Sequence, residues 1–336
     1  MRILVTGGAG FIGSNFVLRT LSTRPDVDIT VLDAFTYAAN PASLRDPDTG
    51  EYVCEVVRGD IRDAALVDEL VAKHDAVVHF AAESHNDNSL RDADPFVTTN
   101  VMGTVNIAKA CVAHKVRLHH VSTDEVFGDL ALDDPARFTP ETPYAPSSPY
   151  SASKASADHF VRAWVRSFGL QATISNCSNN YGPRQHPEKF IPRQICGLLN
   201  GRQPRLYGTG ENVRDWIHVD DHNDAVWRIL DDGRIGATYL IGANGERSNI
   251  DVVKDLLRAF GHDEDAFVHV TDRPGHDRRY AIDPASMTEL GWSPLHTDFA
   301  DGLAQTIAWY RDNESWWAEA YAKAEAGYST RETVLG

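Results

Sequence analysis

The opening stretch, from Arg2 to Asp33, constrains the fold more than any other. Arg2-Ile3-Leu4-Val5-Thr6 is a short continuous apolar run, the pattern of a strand buried on both faces of a parallel sheet. Gly7-Gly8-Ala9-Gly10-Phe11-Ile12-Gly13 follows and opens into helical spacing that runs to about Leu21. It reads G-x-G-x-x-G from Gly8 and G-x-x-G-x-x-G from Gly7. Glycines between a strand and a helix allow a tight turn, so that a pyrophosphate can approach the helix N-terminus. A flavodoxin-like turn could share the glycines. It would not need Asp33, which ends the next strand (Ile29 to Asp33) 20 residues after Gly13, the spacing of a carboxylate that binds an adenosine ribose. Its charge repels a 2′-phosphate, so the expected cofactor is NAD rather than NADP.

The alternation continues. Tyr52 to Arg58 reads as a third strand, Ala64 to His74 as a helix, Asp75 to Ala81 as a fourth strand, and roughly Phe96 to His114 as a long helix. Arg117 to Ser122 is a fifth strand. After a stretch rich in proline and serine at 135–149, Tyr150 to Phe168 is a helix and Gln171 to Ser175 a sixth strand. Strands alternating with helices predict an α/β fold, a Rossmann-type doubly wound parallel sheet. Beyond Asn176 the rhythm breaks. Asn179 to Arg184 is loop chemistry, followed by a helix at Ile191 to Leu199 and a short strand at Arg205 to Tyr207. Arg214 to Val219 is strand-like and leads into a helix from Asp220, Thr238 to Ile241 returns as a strand, and helices follow near 250–260 and 298–313. A smaller, interleaved C-terminal substrate-binding domain is therefore expected. Residues 1–178, with returns at about 213–243 and 280–312, would hold the dinucleotide. Segments at about 179–212, 244–279 and 313–336 would hold the substrate.

With 336 residues, of which 42% are hydrophobic and 24% charged, the chain suits a globular protein with a sizeable core. A net charge of −16 argues against a nucleic-acid or anionic-membrane surface, and requires that any anionic substrate be held by a local basic cluster. Cys54, Cys111, Cys177 and Cys196 are far apart and form no C-x-x-C, which fits reduced thiols and a cytoplasmic location. The chain enters a strand at Arg2 without a basic leader and apolar run, and no apolar stretch approaches the ~20 residues of a membrane span, so neither signal peptide nor membrane anchor is expected.

Chemistry concentrates at Ser122-Thr123-Asp124-Glu125-Val126-Phe127-Gly128, directly after the fifth strand, and at Tyr150-Ser151-Ala152-Ser153-Lys154. At 3.6 residues per turn, Tyr150 and Lys154 share a helix face one turn apart. Tyr150 is a candidate base. Free tyrosine titrates near ~10, so a phenolate at neutral pH costs about 4 kcal/mol, which Lys154 and a positive nicotinamide can offset. Adjacent carboxyls usually mark a solvated turn or a helix start. Beside a nicotinamide and Tyr150, however, Asp124 and Glu125 read as an acid and a base with separate tasks. Asp60-Ile61, after the third strand, could meet the adenine, or Asp60 could cap the next helix. His218 and His222 have H-x-x-x-H spacing but lack the intervening glutamate and a third ligand. Asp220 reads as a helix N-cap and no metal is expected. His119-His120 on the fifth strand should face opposite sides, one packed and one at the surface.

Almost the whole chain resembles the extended short-chain dehydrogenase/reductase family and, within it, the dTDP-glucose 4,6-dehydratases of the dTDP-rhamnose pathway. The resemblance rests on GGAGFIG (7–13), AAESH (81–85), STDEVFG (122–128), YSASK (150–154), NCSNNYGP (176–183), PEKFIP (187–192), VRDWIHVDDH (213–222) and RPGHDRRYAID (273–283). The Asp-Glu pair is its specific part, since epimerases and decarboxylases of the superfamily generally lack it. Two departures stand out: Phe127, where the dehydratases usually carry Tyr, and Asn86, where Val is common. The resemblance implies that Phe11, Ile12, Asp33, Asp60, Ile61, Ala81, Thr99, Tyr150, Lys154 and Asn180 line NAD beside the glycines Gly7, Gly10 and Gly13. It implies that Thr123 bonds the sugar 4-hydroxyl, that Ser84 and Asn179 face the sugar nucleotide, and that Lys189, Tyr207, Arg214, Asn249, Arg273 and His276 hold its diphosphate and nucleoside. The implied reaction oxidises dTDP-glucose at C4 through Tyr150, eliminates water across C5–C6 through Glu125 and Asp124, and returns hydride to C6. A homodimer through the helices near 96–114 and 151–168 is also implied. A 4-epimerase would need only Tyr150, Lys154 and NAD, and an NAD-binding scaffold would need none of the four side chains.

Overall fold

The computed structural model describes residues 1–272, 276–328 and 332–335. Its centre is a seven-stranded sheet in the order β10-β6-β5-β4-β1-β2-β3, with every pair parallel. The strands are β1 (Arg2–Thr6), β2 (Asp28–Asp33), β3 (Glu55–Arg58), β4 (Ala76–His79), β5 (Arg117–Thr123), β6 (Ala172–Cys177) and β10 (Thr238–Ile241). The chain leaves β1 toward β2 and β3, then returns to β4 on the other side. The strand order therefore reverses at β1/β4, the position where open α/β sheets place their ligands.

Side chains alternate across this sheet. Ile3 and Val5 pack on one face with Phe16, Val17, Trp227 and Ile229, while Leu4 packs on the other with Leu32, Val77, Ile107, Leu118 and Val161. Both faces are covered, so the strands read as continuous apolar runs. The covering helices are α1 (Phe11–Thr23) and α8 (Val219–Asp232) on one side, and α2 (Ala64–Val71), α5 (Thr104–His114) and α6 (Pro149–Phe168) on the other.

The long helix expected at Phe96 to His114 starts with a single turn, α4 (Asp94–Phe96), and passes through wider π-type turns at Val97–Gly103 before becoming regular α5. A second short turn, α3 (Asn86–Ser89), precedes it. Ordinary spacing predicts no such widening. It follows from tertiary contacts: Asn100 Nδ2 reaches the Glu83 carbonyl at 2.9 Å and Ser153 Oγ at 2.8 Å, and a Cβ on Gly103 would lie 2.4 Å from Ile61 Cδ1.

The second half builds its own core. The stretch expected to be loop at 179–184 begins as a short strand, β7 (Asn179–Tyr181). It pairs with β9 (Val213–His218), which in turn pairs with β11 (Glu246–Ser248). A further pair joins β8 (Arg205–Tyr207) to β12 (Val268–Val270). Around them lie α7 (Phe190–Leu199), α9 (Asn249–Ala259), α11 (Phe299–Asp312) and α12 (Glu314–Tyr328), while the short α10 (Ala285–Glu289) packs near β10. Ile191, Ile195, Trp216, Leu256, Leu303, Tyr310, Trp317 and Tyr321 form one cluster. α8 and β10 rejoin the main sheet, β9 stays in the small sheet, and α11 packs in the second core. Trp216 and Ile217 show why β9 straddles the two units: neighbours on a strand face opposite ways, Trp216 into the second core and Ile217 into the first.

Three local expectations are corrected. Asp63, rather than Asp60, caps α2, accepting from Ala65 and Leu66 N–H at 3.1 Å. His218 caps α8 by accepting from Asp220 N–H at 3.3 Å, which leaves Asp220 in the first turn. His119 and His120 both point into the protein, each 0% exposed, because the sheet is covered on both sides.

Candidate active site

β5 ends at the switch region, and its last residues set the site. Thr123 caps a 3₁₀ turn, Asp124–Phe127, by accepting from Glu125 N–H at 3.3 Å. The turn holds Asp124 against the protein at 2% exposure, its Oδ1 accepting from Thr123 Oγ1 at 3.3 Å while its buried Oδ2 has no hydrogen-bond partner. Burial, with Glu125 and Asp215 adding negative charge, pushes the Asp124 carboxyl well above the usual carboxylate range. Glu125 is half-buried, and its Oε2 accepts from Asn86 Nδ2 at 3.4 Å. The departure at position 86 therefore bears directly on the carboxylate. The departure at Phe127 does not: its ring stacks on Phe138 at 5.1 Å and meets Tyr144 edge-on, inside an apolar cluster.

α6 brings the second half of the pair. Ser148 and Ser151 form a reciprocal capping box and Pro149 takes the first helical position, so the helix starts where Tyr150 needs to stand. Tyr150 meets Thr123 and Glu125 here. Burial and then Glu125 push its phenol well above its ordinary value, with a hydrogen bond from the Thr123 side chain pulling the other way. Lys154 Nζ donates to the Val121 carbonyl at 2.8 Å, and burial lowers its ammonium. The expectation that Lys154 would bring Tyr150 down is not met by direct contact. Within the chain, the phenol is governed by burial and carboxylates.

The dinucleotide loop has the close approaches that glycine permits. A Cβ on Gly13 would fall 2.3 Å from the Gly7 carbonyl, and one on Gly7, at φ +72°, would fall 2.6 Å from Ala81 N. Gly10 N-caps α1, with Phe11 and Ile12 in its first turn. Asp33 is 8% exposed and accepts from Ala9 N–H at 2.9 Å and from Phe35 N–H at 2.8 Å, so it ties the loop to the second strand. Asp60 pairs with Arg62 at 2.7 Å, which holds its carboxyl below the usual range. Ile61 is buried at 4% exposure against Gly103, so its side chain is core. Thr99 sits on the π-type turns, half-buried. Asn180 donates to the Ser178 carbonyl at 3.0 Å and keeps a buried, unpartnered Oδ1, as does Asn179. A glycine cradle at a helix start, a carboxylate on the neighbouring strand and these orphaned amide oxygens fit a dinucleotide lying across the β1/β4 edge.

The expected substrate residues fall around the second core. Lys189 Nζ donates to the Ser84 carbonyl at 3.0 Å, linking the second half of the chain to the first. Arg214 is 5% exposed, donates to the Val213 and Asp277 carbonyls at 2.7 and 2.9 Å, and lies 4.3 Å from the Tyr280 ring centre. Tyr207 meets the His276 ring edge-on at 6.4 Å, and Asn249 begins α9. Arg273 lies outside the described residues. Away from this site, His218 and His296 stack at 4.0 Å, with ligand atoms of both within 4.8 Å of Asp220, whereas His222 is not part of that group.

Comparison with known proteins shows the family. The family described as GDP-mannose 4,6 dehydratase matches residues 4–306. The dTDP-glucose 4,6-dehydratase of Mycobacterium tuberculosis (strain ATCC 25618 / H37Rv) is 64% identical over 332 residues, covering 98% of this chain and 99% of that one. Among solved structures, DesIV, a dTDP-glucose 4,6-dehydratase from Streptomyces venezuelae with NAD bound, superposes with a TM-score of 0.90 at 47% identity, covering 95% of this chain and all (100%) of the other. A UDP-glucose 4-epimerase from Thermus thermophilus in complex with NAD reaches a TM-score of 0.83 at 28% identity, covering 93% and 100%. The fold is shared with epimerases at 28% identity, but the dehydratases are 47% to 64% identical along almost the full chain, and the chain belongs to the dTDP-glucose 4,6-dehydratase family.

Proposed function

We propose that this chain converts dTDP-glucose to the dTDP-4-keto-6-deoxy sugar, using NAD that is regenerated in each cycle. The observation that carries this reading is the buried Asp124–Glu125 turn beside Tyr150, since interconversion at C4 alone requires neither an acid nor a base for elimination. NAD, when bound, supplies the acceptor and then the donor of the hydride that moves from C4 to C6. Tyr150 takes the proton of the 4-hydroxyl, and Thr123 positions the same hydroxyl. With burial and Glu125 holding the phenol up, that step calls for positive charge on its open side, from Lys154 and the bound cofactor. Glu125 removes the C5 proton that the 4-ketone acidifies. Asp124, kept protonated by burial and two neighbouring carboxylates, gives its proton to the departing C6 hydroxyl.

Phe11, Ile12, Asp33, Ala81, Thr99 and Asn180 would contact NAD. Lys189, Tyr207, Arg214, Asn249, Arg273 and His276 would hold the nucleoside diphosphate between steps, with Ser84 and Asn179 facing the sugar. In this reading the main-sheet unit holds NAD and the second unit holds the sugar nucleotide. A homodimer would cover Leu90, Val97, Met102 and Phe160, which are between 39% and 53% exposed on or beside the helices of 94–114 and α6. Among the described residues, no helix is long and apolar enough to cross a membrane. Separately, the buried free thiols of Cys111, Cys177 and Cys196 support a cytoplasmic site of action.

The test follows one hydrogen. With dTDP-glucose deuterated at C4, the label should appear in the C6 methyl group of the product, without crossing to unlabelled sugar in the same mixture, and C5 should take its hydrogen from heavy water. NMR of the product reads both positions. A product that keeps its C6 oxygen with C4 inverted would establish the epimerase reading instead.

A further inference from the structure

We infer that Asp158 is the buried counter-anion of Lys154 and a positioning residue for the end of β5. Asp158 follows Lys154 by one helical turn on the same face of α6. Its side chain is 0% exposed. Oδ1 lies 3.1 Å from His120 Nε2 on β5, and Oδ2 accepts from Tyr144 OH at 2.8 Å and from Asn176 Nδ2 on β6 at 3.1 Å. The same Asn176 amide donates to the Thr123 carbonyl at 3.0 Å. One carboxylate thus reaches two strands and the loop before α6, and through Asn176 it holds the residue that begins the Asp124–Glu125 turn. Lys154 grips the same strand two residues earlier, at Val121.

The charge matters separately from the geometry. A fully buried ammonium without an anion gives up its proton. The groups that share this pocket are Lys154 and Arg162 from α6, His120 from β5, His79 from β4, Cys177 from β6 and Tyr144 from the preceding loop. Burial lowers both imidazoles, raises the Cys177 thiol to about 12 and raises the Tyr144 phenol, so all four are neutral at pH 7. Arg162 is turned to Tyr144 OH at 2.7 Å and Thr238 Oγ1 at 3.2 Å. Asp158, held ionised by His120, Lys154 and Tyr144 against its own burial, is the anion left to face Lys154 among the described residues. Asparagine at 158 could keep every one of these hydrogen bonds, with its amide donating to His120 and its oxygen accepting from Tyr144 and Asn176. Only the charge would go.

The inference rests on the Tyr150–Lys154 assignment, and its test isolates the first half-reaction. In a Glu125→Gln background, single-turnover reduction of bound nicotinamide by dTDP-glucose is followed against pH. The rate should fall at high pH as Lys154 loses its proton. Adding Asp158→Asn should move that fall downward by about one pH unit or more, with the KM for dTDP-glucose unchanged. Tyr144→Phe, which removes a hydrogen bond but keeps the anion, should leave the fall in place. An alkaline limb that does not move in Asp158→Asn overturns the proposal and leaves Asp158 a purely structural brace. Should that variant not fold, the unaltered holoenzyme decides. With lysine labelled at Cε, the Lys154 resonance, identified by its loss in Lys154→Met, should be that of an ammonium at pH 8, and a neutral amine there overturns the pairing. Absence of nicotinamide reduction in Glu125→Gln would instead count against the catalytic assignment, and the NMR result would still stand alone.

Discussion

At the scale of residues, Asp124 and Glu125 differ in environment, and the separate roles proposed for them follow from that difference. Asp124 is sealed at 2% exposure with one oxygen unpartnered, whereas Glu125 keeps solvent access and a donor in Asn86. The first arrangement, burial with Glu125 and Asp215 adding negative charge, pushes the Asp124 carboxyl well above the usual carboxylate range. Glu125→Gln should therefore spare oxidation at C4 but slow elimination by roughly 100- to 10,000-fold. Reduced nicotinamide should then build up on the enzyme when substrate is added, as read by absorbance. Tyr150→Phe should show no such build-up, because the first proton has nowhere to go. Unchanged turnover in the glutamine variant would take Glu125 out of the mechanism. These residues are legible in the sequence itself, because their chemistry depends on type and spacing. Asp158 also leaves a signal there, an acid one turn beyond Lys154. Its meaning depends on His120, Tyr144 and Asn176, which are remote in sequence.

At the scale of elements, helix ends and strand order are readable from glycines, capping serines and apolar runs. The widened turns at Val97–Gly103 are not, because they answer to Ile61 and Ser153 rather than to local propensity. α12 escapes the sequence reading although Trp317, Tyr321 and Tyr328 recur at helical spacing and are all buried. Between them the sequence is mostly alanine, with Glu319, Lys323 and Glu325, and only the second core shows what the aromatic stripe packs on. Trp317 is 2% exposed and its Nε1 donates to the Tyr310 carbonyl at 2.7 Å. Trp317→Ala should cost about 3–5 kcal/mol, visible as a lower urea midpoint. α12 also carries Tyr328, whose hydroxyl donates to the Glu188 carbonyl at 2.9 Å, next to Lys189. The KM for dTDP-glucose should therefore rise more than kcat falls. A variant as stable as the parent would show that α12 is not part of the second core.

At the scale of the whole molecule, buried histidines set the response to acid. Burial lowers His186 and His218 to about 4 and His222 to about 3, from an ordinary 6.5, and holds His79 and His119 well below that value. Between those values and 6.5 the unfolded chain binds more protons than the folded one, so stability is lost as pH falls through that window. Asp215, raised to about 6, and Asp124 act in the opposite sense, since they take protons in the folded state first. The histidines outnumber them, and the urea midpoint at pH 5 should lie below that at pH 7.5. An equal or higher midpoint at pH 5 would show these imidazoles to be accessible. By itself, the sequence determined the parallel sheet, the dinucleotide turn with its Asp33, and which side chains are candidates for the reaction, because each rests on local period, glycine geometry or functional-group chemistry. Tertiary structure alone decided which histidines are buried, which residue caps α2 and α8, where β9 and α11 pack, and which of two adjacent carboxyls is the more deeply buried. Those depend on burial and on partners far along the chain, and no spacing within a segment encodes them.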